Sequence, residues 1–151
     1  MENNDIYDLN RFVAAQENNY GGYSSALAEI KNGRKTGHWI WYIFPQLADL
    51  GWSSTSKYYG ISCIEEAVQY AKHPLLGNRL REISEALIML ETSDARSILG
   101  GTDALKVRSC MTLFNAADTE HDVYRRVLDK FYNGEHDEIT LNILKGLKAN
   151  K

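Results

Sequence analysis

Along most of this chain, apolar residues recur at the three- and four-residue steps of amphipathic helices. The clearest run is Leu76, Leu80, Ile83, Leu87 and Leu90, one stripe on a helix that opens just after Pro74. The helix before it carries Ile64, Ala67, Val68 and Ala71, with Ser62 and Glu65 as its predicted capping box, and His73-Pro74 stops it. In "ALKVRSCMTLF" the inward face is Val107, Cys110, Met111 and Phe114, with Thr102 and Asp103 as expected caps. Leu9, Phe12 and Val13 predict a short helix from an Asp8 cap to about Asn18, and Leu27 and Ile30 a second from about Ser24 to "NGRKTG". A short turn of helix is expected in "SDARSILGG", and two final helices over about 121–133 and about 137–149. Residues 1–7 are polar and expected to be loose.

One segment departs from this pattern. In "HWIWYIF", alternation puts His38, Ile40, Tyr42 and Phe44 on one side and Trp39, Trp41 and Ile43 on the other, and both sides are apolar. Pro45 biases Phe44 away from helical geometry, which favours a short buried strand over an unusual helix. The expected fold is therefore mainly α: one compact domain over residues 1–151, with at most a short strand or hairpin near 38–44.

Composition narrows the function classes. With 151 residues, 44% of them hydrophobic, the chain can bury a core without disulfide or metal staples. A formal charge of −3 argues against bulk binding of duplex nucleic acid, though not against a local basic cluster. Cys63 and Cys110 lack CxxC spacing and read as buried thiols in a reducing compartment. No apolar run approaches the ~18 residues of a membrane span and no leading stretch resembles a signal peptide, so a cytoplasmic protein without a membrane partner is expected.

Standard chemical motifs are missing: there is no GxSxG, HExxH, Walker A loop or GxGxxG. "EHD" at 120–122 and 135–137 precedes predicted helices, where capping is the expected task rather than metal ligation, and neither a metal nor a cofactor is expected. Three groups remain. Arg34 and Lys35 lie between Gly33 and Gly37, a loop suited to phosphate, and lead into Trp39 and Trp41, whose indoles can stack a flat ring. Taken alone those aromatics read as core, and His38 as a hydrogen-bonded neighbour of that core. Glu65, Gln69 and Lys72, at i, i+4 and i+7 with Glu66 alongside, line one helix face, which suits either a solvated charge pattern or a carboxylate facing a sugar carbon. Arg108, off the apolar stripe of its helix, can clamp a phosphate or pair with a carboxylate.

In order and spacing, "GRKTGHWIWYIFPQLADLG", "YYGISCIEEAVQYAKHPLLGNRLREI", "ILGGTDALKVRSCMTLFNA" and "RVLDKFYNGEHDEITLNIL" resemble the domain-of-unknown-function 1810 family, from Leu9 to Leu144. More distantly, the chain is similar to the NADAR, or YbiA-like, superfamily, which implies a YbiA-like helical fold. That similarity also implies hydrolysis of an N-glycosidic bond in an ADP-ribose-like or other ribose-phosphate nucleotide. The superfamily signature has an acid opening a helix, commonly followed by His, with Gln four and Lys seven residues on. Glu65, Gln69 and Lys72 match that spacing, while Glu66 stands where His is usual. The resemblance thus makes Glu66 or Glu65 the catalytic acid, with Glu66 favoured because Glu65 is partly occupied by the cap. Arg34, Lys35, His38, Trp39, Trp41, Arg108 and Gln46, from the Phe-Pro-Gln element, form the ligand-binding set for a small nucleotide-like molecule. A non-catalytic nucleotide-binding module and a helical interaction domain, with an exposed apolar patch around Trp39 and Trp41, are the alternatives.

Overall fold

The computed structural model describes residues 5–18 and 20–149, apart from the side chains of residues 147–149. Residues 1–4 of the segment expected to be loose lie outside that set. Ten α-helices and no strand occur among the described residues: α1 Asn10–Gln16, α2 Tyr23–Lys31, α3 Ile40–Ile43, α4 Ser54–Tyr58, α5 Ile64–Lys72, α6 Leu76–Ile88, α7 Ala95–Leu99, α8 Gly101–Ala117, α9 Val123–Tyr132 and α10 Glu138–Ala149. None of them is long and apolar enough to cross a membrane.

Helix α8 is the axis of the fold and packs against α5, α7, α9 and α10. Its expected stripe is fully buried, but so are Ser109, Thr112 and Leu113, so the helix is covered on more than one side. The two hydroxyls satisfy themselves on the preceding turn, Ser109 donating to the Leu105 carbonyl at 3.2 Å and Thr112 to that of Arg108 at 2.8 Å. Helix α6 buries Leu76, Leu80, Ile83 and Leu87, while Leu90 falls beyond its end. The corner before it is tight. A Cβ on Gly77 would stand 2.1 Å from the Ala71 carbonyl oxygen, so α5 and α6 approach as closely as only glycine permits.

The strand expected near residues 38–44 is a single helical turn, α3, closed by the Phe44 N–H donating to Ile40 O at 3.0 Å. Trp39, Ile40, Ile43 and Phe44 are buried while Trp41 and Tyr42 are half-exposed, which is a helical spacing. Pro45 moves Phe44 out of helical geometry as expected, to φ −123° and ψ 72°, but its effect does not reach back to Ile40–Ile43, which stay helical. Extended pairing appears further on, as an isolated parallel bridge between Leu47 and Ile61.

Caps differ from expectation as well. Asp8 adopts φ +53° and does not cap α1; Asp5 does, accepting from the N–H groups of Leu9 (2.6 Å) and Asn10 (2.9 Å). Helix α8 starts directly after Gly100, at φ +85°, so Thr102 and Asp103 lie in its first turn rather than before it. Asp137 does cap α10, accepting from the Thr140 N–H at 2.9 Å and hydroxyl at 2.6 Å. Asp122 precedes α9 but makes no side-chain cap bond. Cys110 is buried, whereas Cys63 is half-buried.

Two carboxylates tie the elements together. Glu29 accepts from the N–H groups of Thr36 (2.8 Å) and Gly37 (2.9 Å) and from Trp39 Nε1 (2.9 Å). Asp118 accepts from Tyr124 at 2.8 Å and Arg81 at 3.3 Å, and pairs with His121 Nδ1 at 3.0 Å. Burial by itself raises both carboxyls, but these donors outweigh it and hold each below its ordinary value, 4.5 for Glu29 and 3.8 for Asp118. A depressed carboxyl stabilises the fold above the unfolded value and loses that contribution as pH falls through the folded one. Resistance to urea unfolding is therefore expected to weaken as pH drops below about 4.5. Glu29→Gln and Asp118→Asn should each unfold more easily at neutral pH and show a shallower acid slope.

Candidate functional site

Helix α5 owes its start to Glu66, not to the Ser62–Glu65 pair expected from the sequence. Glu66 Oε1 accepts from both the N–H and the hydroxyl of Ser62, each at 2.8 Å. Its Oε2 meets Arg11 Nη2 at 2.8 Å, and both side chains are nearly sealed from solvent, at 2% and 8% exposure. Arg11 in turn donates to the carbonyls of Tyr7, Asp8, Tyr58 and Gly60. The guanidinium thus joins three chain segments, and both Glu66 oxygens are committed to it or to the helix start.

Glu65 is one residue away and turned outward. It lines a groove of about 950 Å³ with Gln69, Lys72, His73 and Pro74 on one wall and residues 5–10 on the other. The spacing of Glu65, Gln69 and Lys72 thus survives in three dimensions as a single face on a cavity. Tyr7 stands on the opposite wall. Loss of hydration, then the Cys63 thiol and the carboxylates of Glu65 and Glu66, push its hydroxyl above the ordinary value, so it stays protonated. Asp5 and Asp8 also line the groove, leaving Lys72 the one Lys or Arg among its described lining residues.

The cations and indoles do not join that groove. Lys35 pairs with Asp103 at 2.7 Å, donates to Gly37 O and lies 4.9 Å over the Trp39 ring. Trp39 is fully buried, with its N–H on Glu29. Trp41 is half-buried beneath Lys106, which sits 5.2 Å from its ring and 3.7 Å from Asp103. Lys35 and Trp41 therefore meet Asp103 and Lys106 near the start of α8, while Trp39 is tied to α2 through Glu29. The apolar patch expected of an interaction domain around Trp39 and Trp41 is not present, because Trp39 faces inward. Arg34 and His38 are exposed, and Gln46 is half-buried with its carbonyl taken by Ile61 N–H. Arg108 pairs with Asp137 at 3.7 Å beside a separate cleft at residues 134–141.

Sequence reasoning missed what four residues do here. Arg11 carries no signal in the sequence, because only tertiary neighbours reveal five acceptors around it. His73 was read as a helix stop, although it also lines the groove. Asp118 and His121, three residues apart, form a fixed pair whose signal was a D-x-x-H step across a turn. His121 lines a cleft of about 610 Å³ with Arg81, Asn115 and Arg125. Among the described residues no group of His, Cys, Asp and Glu is arranged to hold a metal ion.

The comparisons with known proteins bear on this geometry. The model of the family described as "Protein of unknown function (DUF1810)" matches residues 6–144, nearly the whole chain. The chain belongs to this family. The likeness extends to three dimensions. The crystal structure of the conserved hypothetical protein Rv1873 from Mycobacterium tuberculosis is 41% identical, with a TM-score of 0.89, covering 93% of this chain and 99% of that one. No curated protein matches. The DUF1810 match spans both the groove wall on α5 and the facing segment from residue 6.

Proposed function

We propose that the protein hydrolyses the N-glycosidic bond of a ribosylated ligand, of the ADP-ribose-like or other ribose-phosphate kind, in the groove between residues 5–10 and α5. One observation carries this reading: Glu65, Gln69 and Lys72 face one cavity from successive turns of a single helix. In such a reaction the bond from the sugar carbon to the base nitrogen breaks with its electron pair on the base. Water oxygen bonds to the carbon, and the water proton passes through a carboxylate to the departing base. Positive charge builds on the sugar as the bond breaks. A wall carrying Glu65, Asp5 and Asp8 favours that charge, and Lys72 offers the place for a phosphate. Glu65 is the acid in this mechanism, because Glu66 is held by Arg11 and Ser62. Gln69 and Tyr7 contribute hydrogen bonds to ribose hydroxyls.

The test is release of free base from ribosylated nucleobases and ribosylamines, followed by chromatography. The wild-type protein is expected to turn over at least one of them, and Glu65→Gln to lower kcat by about 10²–10⁴-fold with little change in unfolding temperature. No release by the wild type, or full activity in Glu65→Gln, ends the proposal. A ligand that raises the unfolding temperature but survives incubation intact identifies a binding module instead.

A further inference from the structure

Every N–H of the Arg11 guanidinium is engaged. Nε donates to Tyr58 O at 2.7 Å, Nη1 to Tyr7 O at 2.6 Å and Asp8 O at 2.8 Å, and Nη2 to Gly60 O at 2.9 Å and Glu66 Oε2 at 2.8 Å. A guanidinium offers five donors in a rigid plane, and here each has its own acceptor. Two of those acceptors, the Tyr7 and Asp8 carbonyls, belong to one wall of the groove, and Glu66 belongs to α5, which carries the other. Asp8 shows that the wall is held rather than at rest. Its φ of +53° is costly for a residue with a Cβ. Its carbonyl accepts twice from Arg11, from Nη1 and from the backbone N–H at 3.2 Å. The Arg11 side chain itself is 8% exposed and is not among the described residues that line the groove.

We infer that Arg11 is a positioning residue: by fixing residues 7–8 against α5 it sets where the Tyr7 side chain stands relative to Glu65. The inference rests on the ribosyl-hydrolase reading for the tasks of those two residues, but not for the tie itself. In that reading Tyr7 meets a ribose hydroxyl while Glu65 faces the sugar carbon, so one sugar ring has to fit both at once. Tyr7 precedes α1 and Glu65 lies in α5, so no shared helix relates them. Arg11 relates them, because Nη1 holds the Tyr7 backbone while Nη2 holds Glu66, the neighbour of Glu65. Lysine keeps a charge beside Glu66, but its three donors sit on a single nitrogen and cannot also hold four carbonyls. Arg11→Lys therefore leaves Glu66 paired while it frees the wall at Tyr7 and Asp8.

Four versions of the full chain test this: wild type, Tyr7→Phe, Arg11→Lys and the two changes together. Each is assayed for release of base from ribosylated nucleobases, well below its unfolding temperature. Tyr7→Phe and Arg11→Lys are each expected to lower kcat/KM about 10-fold, and the double change no further than Arg11→Lys alone. A hydroxyl already out of place has nothing left to lose. Losses that multiply, or an Arg11→Lys protein with wild-type kcat/KM, overturn the inference. Two measurements need no turnover. Loss of hydration, then Cys63, Glu65 and Glu66, hold the Tyr7 hydroxyl above its ordinary value, and NMR titration should show it falling back in Arg11→Lys. An unchanged titration overturns the inference. In the wild type, the guanidinium hydrogens of Arg11 should exchange with solvent far more slowly than those of the exposed Arg125. Equal rates overturn it even where no variant folds. A wild type that releases no base, with both of these measurements as expected, removes the hydrolase reading and leaves Arg11 as the residue that places the groove wall.

Discussion

Arg11→Ala is expected to lower the unfolding free energy by about 3–5 kcal/mol, measured by urea denaturation at neutral pH. The reason is the charge left behind. Glu66 is 2% exposed, and with Arg11 gone its Oε2 has lost its cation in a place water hardly reaches. The carbonyls of Tyr7, Asp8, Tyr58 and Gly60 lose their donor too, so the N-terminal segment, the end of α4 and the start of α5 come apart together. Replacing both partners, as in Arg11→Met with Glu66→Met, should cost less than the two single changes added, because no unpaired charge remains. The same series decides what Glu66 does. Should Glu66→Gln keep full stability and lose turnover, the acid is chemical after all and the assignment to Glu65 is wrong.

Trp39→Ala should cost about 3–5 kcal/mol, while Trp41→Ala, two residues on, should cost about 1 kcal/mol. Trp39 is fully buried and packs against Phe44 at 6.2 Å between ring centres. Its removal leaves a cavity and also takes one of the three donors from Glu29, which orders the loop through Thr36 and Gly37. Trp41 is half-buried and offers its face to Lys106, an interaction worth little at a surface. Thermal unfolding of the two variants compares them directly. A larger loss at Trp41 than at Trp39 would reverse the inside and outside of α3.

Much of the helical plan was readable from spacing. The stripe from Leu76 to Leu87 and the set Val107, Cys110, Met111 and Phe114 appear as buried faces, since a helix with one strong stripe has one way to face a core. Residues 45–61 gave no period, yet they hold a short 3-10 turn at Ala48–Leu50 and α4. Elements of three to five residues are too short to repeat a pattern, and neighbours rather than propensity hold them in shape. Residues 38–44 failed for a related reason: with apolar side chains on every side, periods of two and of 3.6 fit equally well, and packing on α1 with the Trp39–Glu29 bond to α2 chose between them.

The candidate site shows the same division. The i, i+4, i+7 step of Glu65, Gln69 and Lys72 was legible, because a helix converts that spacing into one face. Which acid of the Glu65–Glu66 pair faces the cavity was not. A helix turns by about 100° between neighbours, so the two had to diverge, but only Arg11, fifty-five residues earlier, shows which one the interior takes. Likewise the basic loop and the indoles were visible as a group and do lie together, but Asp103 and Lys106 from α8 engage them.

By itself, then, the order of residues determined helix class, the main buried stripes, membership of the DUF1810 family and the shared helix face of Glu65, Gln69 and Lys72. Tertiary structure decided which charges are neutralised inside, which indole is core and where the cavity opens. Local periodicity is a property of neighbours along the chain, whereas desolvation and ion pairing depend on groups that only folding brings within a few ångströms.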